Sequence, residues 1–312
     1  MAQVICFGLL VADCVTATVD TLPERGTLAI VDRVELHVGG CAANTAIALA
    51  KLGLSAGIIG GVGADGLGDF VLGAVAGAGV DVRGVKRFAN VPTAATTVCV
   101  HSDAERTFLH VPGANARFVA SDADWSVIDG AGVFHIAGAQ LMGALERENG
   151  IAAVAEEAKR RGMTVTLDTV MNPESLGWQA LAPALPFVDW MLPSEPEAAT
   201  LTGETDLSRQ AEAFRTAGAK NVAIKRGAAG CAVFPDSGAP FTVPPLSVAA
   251  LDTLGAGDAW VAGFLLGLVR GLPAPETARF ANAVGAFAVT GYGATTMIRT
   301  EAETLAFLNR MI

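Results

Sequence analysis

The chain has 312 residues, 52% of them apolar, with 36 glycines, enough for a large packed core and too apolar for a disordered chain. A formal net charge of −10 argues against nucleic acid or an anionic membrane as the main partner, while a local glycine nest could still take an anionic substrate. Cys6, Cys14, Cys41, Cys99 and Cys231 are scattered without a C-x-x-C, and His37, His101, His110 and His135 lack zinc spacing, which predicts a cytoplasmic protein without disulfides or a zinc site.

Residues 3–10 are apolar with no basic stretch before them, the mark of a buried strand rather than a signal peptide. Across 12–38, Thr16, Thr18, Val31, Val34, Leu36 and Val38 alternate with polar residues around Pro23 and Gly26, which is half-exposed strand chemistry. A helix of small apolar residues is expected at 44–52, a buried strand at 56–59 and a helix at 67–78. Alternation returns at 97–101 and 107–111. From Pro112 onward strands (133–137, 164–168, 188–192, 221–225, 231–234) alternate with helices (146–161, 195–202, 257–269, 277–289, 301–310). The apolar run from Ala259 ends at Arg270 and is too short to span a bilayer.

Nearly continuous apolar strands alternating with helices predict an α/β fold with a doubly wound, mostly parallel sheet flanked by helices. The two alternating segments do not belong in such a sheet. They are assigned to a small antiparallel β lid at 12–38 and 89–111, and the α/β domain takes 1–11, 39–88 and 112–312.

Residues 61–66 read GVGADG, and Asp81 lies twenty positions beyond Gly61. This imitates a dinucleotide-binding fingerprint. The acid, however, should close a second apolar strand, and only Val80 precedes it here. Glycines for a tight strand-to-helix turn explain the stretch better.

Residues 251–260 read LDTLGAGDAW. A glycine turn opening a helix presents free N–H groups, an anion site. Asp258 at that point reads either as an N-cap or as a reactive acid.

Three motifs stand in order: VGGCAANTA at 38–46, GGVGADGLG at 60–68 and DTLGAGD at 252–258. Together with ERTFLHVPGAN, EAATLTG, KRGAAG and FANAVGAFAVTGYGA further along, they resemble the ribokinase-like carbohydrate kinases, the PfkB family, over essentially the whole chain. The resemblance implies a doubly wound α/β fold with a β lid over the sugar. It also implies transfer of a phosphoryl group from ATP, with Mg²⁺, to an alcohol.

By this resemblance Gly255, Ala256 and Gly257 donate N–H groups to the transferred phosphate, and Asp258 accepts the hydroxyl proton. A helix N-terminus should keep Asp258 ionised. Asp13, Gly39, Gly40 and Asn44 match positions that hold the sugar, the glycines letting the ring approach the backbone; Arg106 on the lid is a further acceptor candidate. Lys225, Gly227 and Gly230 match the loop bordering ATP, Asn282 a position near adenine. Ser194 stands where the family usually carries Asn, and Glu197 matches an acid acting on Mg²⁺ through water. Asp252 is the candidate for a monovalent cation such as K⁺. Capping and snorkelling roles compete for Asp13, Asn44 and Lys225.

Ribokinases proper carry a glutamate after the strand at 133–137, whereas this chain continues HIAGAQLM. That favours a ketose or keto-deoxy sugar acid over ribose. The alternatives are a nucleoside kinase and a catalytically silent sugar sensor. A homodimer joined through the lid is expected.

Overall fold

The computed structural model describes residues 2–310 except 104, 129 and 173. Thirteen strands lie among these residues. In chain order they are β1 (Val4–Gly8), β2 (Val11–Ala17), β3 (Arg33–Gly39), β4 (Ala56–Gly63), β5 (Asp81–Phe88), β6 (Ala95–Val100), β7 (Arg106–Val111), β8 (Val133–Ala137), β9 (Thr164–Leu167), β10 (Trp190–Met191), β11 (Asn221–Lys225), β12 (Cys231–Phe234) and β13 (Phe241–Val243). The helices are α1 (Cys41–Lys51), α2 (Gly66–Gly77), α3 (Gly143–Arg147), α4 (Gly150–Arg160), α5 (Trp178–Leu181), α6 (Glu195–Thr202), α7 (Leu207–Thr216), α8 (Ala256–Arg270), α9 (Ala274–Ala288) and α10 (Glu301–Arg310).

Nine strands form one sheet in the order β13-β12-β11-β10-β9-β8-β1-β4-β5. From β11 across to β5 the pairings are parallel; β12 and β13 run antiparallel at one edge. β1, β4 and β8 are buried throughout, as strands covered on both faces must be. Two apolar clusters fill the two faces. One joins α1, α8 and α9 to the sheet through Leu49, Phe264 and Phe280. The other packs α4, α5 and α7 through Ile151, Leu181 and Phe214. From β1 the chain runs to β4 and β5 on one side, then to β8 and onward on the other. Ligand crevices form where strand order reverses in this way.

The remaining four strands make a separate sheet, order β3-β2-β6-β7. It is antiparallel except for the β2–β6 pairing. Its register places Asp13 opposite His37 and Thr96, and Thr96 opposite His110. Residues directly opposite share a face, and so do residues two apart. Hence Asp13, His37, Thr96, His110 and Arg106 lie on one face, and Val34, Leu36, Leu109 and Val111 on the other.

The glycine-rich stretch at 60–68 covers the end of β4, a two-residue bend and the first turn of α2. Asp81 opens β5 instead of closing a strand, so the dinucleotide pattern fails. Asp65 caps α2 by accepting from the Gly68 N–H at 2.8 Å, and it also takes the Thr93 N–H and hydroxyl. A Cβ at Gly63 or Gly68 would collide with Thr93, or with the Gly63 carbonyl.

Candidate active site

α8 begins after Gly255, which holds a left-handed φ of 70° and makes no side-chain cap. Asp258 is therefore the third helical residue, which leaves the N-cap reading without support. Alanine at the Gly255 position would drive its Cβ into Ala294, so the turn needs glycine for space as well as for φ. A Cβ at Gly257 would meet nothing nearer than the Lys225 Nζ, 3.7 Å away. The opening of α8 thus leaves a cradle at Gly257 with an ammonium group at its edge.

Asp258 is half-buried. The Asn44 amide donates to its Oδ2 at 2.8 Å, and the Thr45 hydroxyl reaches its main-chain carbonyl at 3.4 Å. Burial pushes its carboxyl up to about 6, against the lowering pull of Asn44, Lys225 and Cys41. Desolvation outweighs the helix end, yet a carboxyl titrating near 6 stays mostly ionised at neutral pH. A carboxylate titrating near 6 is a better proton acceptor than an ordinary aspartate.

Asn44 lies inside α1, whose cap position is Gly40, so its capping reading fails too. Its Oδ1 is buried without a hydrogen-bond partner among the described residues. Gly39 and Gly40 sit tightly against the residues around them. A Cβ at Gly39 would strike the Asp13 carboxylate, and one at Gly40 would strike the Leu9 carbonyl. They are required for packing that brings Asp13 against the start of α1. Burial raises the Asp13 carboxyl, opposed by a hydrogen bond from Thr96 and by His110 and His37. The His110 ring lies 3.1 Å from the Thr96 hydroxyl. Thr96 and His110 were not anticipated; their position beside Asp13 follows from sheet register, which the chain order alone does not disclose.

On the other side of Asp258 lies a buried charge cluster. Both Asp168 oxygens accept from Lys225 Nζ at 2.6 Å. Burial alone would lower the Lys225 ammonium, but Asp168 and Glu197 outweigh it and hold the group charged. Lys225 is therefore no snorkelling surface residue. Asp168 and Thr169 follow β9 directly and were missed; an acid after an apolar strand reads as the strand's last residue until its partner is known. Glu197 Oε2 accepts the Ser194 N–H at 2.8 Å and the Thr169 hydroxyl at 3.1 Å. Ser194 caps α6 in a reciprocal box with Glu197, so serine in place of asparagine still anchors the acid.

Gly227 and Gly230 both hold positive φ; a Cβ at Gly227 would meet open space, whereas one at Gly230 would collide with the Val243 carbonyl. Asn282 is buried and fully engaged. It accepts from the Trp260 indole at 2.8 Å and donates to the Val243 and Pro244 carbonyls. Its amide shapes the 243–245 loop and is not free for a base.

Arg106 and Asp252 correct the sequence reading together. The Arg106 guanidinium donates to Asp252 Oδ1 at 2.8 Å. Asp252 also accepts the Leu254 and Gly293 N–H groups at 2.8 and 3.0 Å. A carboxylate ringed by three donors does not fit a monovalent cation, which needs oxygen ligands. Among the described residues no cluster of three or more His, Cys, Asp or Glu is arranged to hold a metal ion, and no helix is long and apolar enough to cross a membrane. The five cysteines are free thiols.

Residues 1–301 match the family described as pfkB family carbohydrate kinase. The chain is 32% identical over 280 residues to an ATP-dependent ribose-1-phosphate kinase of Halopiger xanaduensis, covering 90% of each chain. It is 33% identical over 301 residues to a fructokinase of Klebsiella pneumoniae, covering 90% of this chain and 94% of that one. The structure of Arabidopsis thaliana ribokinase complexed with ribose and ATP matches with a TM-score of 0.85 at 27% identity, covering 99% of both chains. Fold and sequence together define an ATP-dependent carbohydrate kinase with a ribokinase-like fold. The chain belongs to the pfkB family.

Proposed function

We propose that this enzyme moves the γ-phosphoryl group of ATP to a hydroxyl of a small sugar, a ketose or keto-deoxy sugar acid in preference to ribose, with Asp258 as the base. The observation that carries this reading is the half-buried Asp258, held by Asn44 beside the open Gly257 cradle.

Ionised Asp258 accepts the proton of the acceptor hydroxyl. That oxygen forms a bond to the γ-phosphorus as the bond to the ADP oxygen breaks, and ADP leaves with the electron pair. The N–H groups at Gly255 and Gly257 and the ammonium of Lys225 face the charge on the transferred phosphoryl oxygens, and the Ala256 N–H, which donates to the Thr253 carbonyl at 3.3 Å in the ligand-free chain, joins them when the phosphoryl group is bound. Mg²⁺ carried with ATP would neutralise phosphate charge, and Glu197 would hold its water. Gly227 and Gly230 border the nucleotide. Asp13 holds a second hydroxyl of the sugar, with Thr96 and His110 beside it. The unpartnered Asn44 Oδ1 is a ready acceptor for a substrate hydroxyl. The absence of an acid in Gly138-Ala139-Gln140, just after β8, supports a sugar other than ribose. Residues 12–38 and 89–111 act as the lid that keeps water from the phosphoryl group.

The test is ADP release with a panel of ketoses, keto-deoxy sugar acids, aldopentoses and nucleosides. Turnover with a ketose or keto-deoxy acid is the expected result. Turnover with nucleosides alone overturns the sugar reading, and sugar binding without ADP release would mark a sensor.

A further inference from the structure

Arg106 opens β7 in the lid sheet, and Asp252 lies 146 positions later, three residues before the cap of α8. Their contact is the one ion pair among the described residues that joins the lid to the segment leading into the Gly255–Gly257 cradle. Asp252 is 4% exposed and Arg106 23%, so the pair is shielded from water and salt screens it little.

The carboxylate holds two further segments together. Oδ1 takes the Leu254 N–H, next to Gly255, and Oδ2 takes the Gly293 N–H, next to Ala294. Ala294 in turn fills the space beside Gly255 where a side chain would sit. A continuous set of contacts therefore runs from the lid guanidinium through Asp252 to both walls of the turn that opens α8. Lys51 of α1 pins the same loop from the far side, donating to the Thr295 carbonyl at 2.7 Å. Remove the guanidinium and the carboxylate is left buried with two neutral donors. A buried charge without its partner is costly, and here the groups available to relieve that cost are the two N–H-bearing segments that shape the cradle.

We propose that Arg106 is a positioning residue: its guanidinium is the built-in counter-ion of Asp252, it ties the shape of the phosphoryl cradle to the lid, and it replaces any added monovalent cation. The proposal rests on the phosphotransfer reading above for its kinetic arm, and its structural arm is independent of that reading. It also accounts for an arginine on the inner face of the lid, where an acceptor contact had been expected.

The experiment compares wild type, Arg106→Ala and Arg106→Lys. In wild type, exchanging K⁺ for tetramethylammonium leaves the rate unchanged. Arg106→Ala lowers kcat about tenfold or more, with a smaller change in the KM for the sugar. Guanidinium ion at millimolar concentration, or K⁺, restores part of the rate. Arg106→Lys keeps the charge and retains most of it. Amide hydrogen exchange on the ligand-free proteins is the readout that needs no turnover. Arg106→Ala quickens exchange at 253–258 and 290–296 as well as in the lid. Wild-type dependence on K⁺ overturns the proposal, and that result needs no variant to fold. Faster exchange confined to 89–111 overturns it too, since it would mark a contact that serves the lid alone. Absence of ADP release from wild type with every acceptor would instead defeat the kinase reading and leave the exchange result standing.

Discussion

Asn44 and Asp258 are 214 positions apart, yet the Asn44 amide donates to the Asp258 carboxylate at 2.8 Å. The contact joins the first turns of α1 and α8, the two glycine-opened helices of the site. It favours the charged acid, while burial opposes it. Asp258→Asn keeps the shape and removes the proton acceptor. Turnover should fall roughly 10²-fold or more with the thermal unfolding midpoint little changed. A variant with near-wild-type kcat would remove Asp258 from the role of base.

The same balance sets a pH dependence. Asp258 titrates at about 6 and must be ionised to take a proton. The rate should therefore be level above that pH and fall as pH drops through about 6. Because the Asn44 hydrogen bond lowers this pKa, Asn44→Ala should move the acid limb to higher pH. A pH–rate profile for both proteins measures it; an unmoved limb would mean that another group titrates.

Gly257→Val should leave the fold intact, since nothing but the Lys225 Nζ lies near the added Cβ. The new side chain fills the cradle where phosphoryl oxygens must approach N–H groups. Both kcat and ADP affinity should fall. Unchanged values measured by turnover and calorimetry would exclude this helix end as the anion site.

Glu197→Gln keeps the box with Ser194 sterically but removes a charge near Lys225 and Asp168. The Mg²⁺ concentration giving half-maximal rate should rise. If the Mg²⁺ curve does not move, Glu197 serves α6 as a cap and nothing more.

The core sheet was legible because its strands are mostly apolar: β8, β11 and β12 and helix α6 occupy the expected residues. β5 was not, because it is an edge strand carrying Arg83, Lys86 and Arg87, and charge at an exposed edge hides the strand pattern. α7 was passed over although Asp206 caps it through the Ser208 and Arg209 N–H groups. In the site, motif residues could be placed singly, but their pairings could not. Arg106 stands as an acceptor candidate and Asn282 as a residue near adenine, and neither assignment shows the long-range partner that the fold gives it, Asp252 or Trp260. Asp168 has no local signal at all: its part in the site is fixed by Lys225, 57 positions away.

The last expectation concerns assembly. The lid sheet has two unlike faces. Asp13, Thr96, His110 and Arg106 share the inner one, where Arg106 reaches Asp252. Val34, Leu36, Leu109 and Val111 share the other, and all four are exposed, Val34 at 62% and Leu109 at 57%. Leu36, Cys14, Thr97 and Leu109 lie in register across the four strands, so the apolar side chains form a contiguous face. A four-stranded sheet with one apolar face in water gains by covering it, and a second copy of the same face is self-complementary about a two-fold axis. Light scattering at micromolar concentration should give a dimer. Leu109→Asp places a charge at the centre of that face and should shift the mass to the monomer, leaving the α/β core folded by circular dichroism. A wild-type protein that remains monomeric with full activity would show that the lid holds its shape by packing on its own chain, through Ala12 and the Arg106–Asp252 contact.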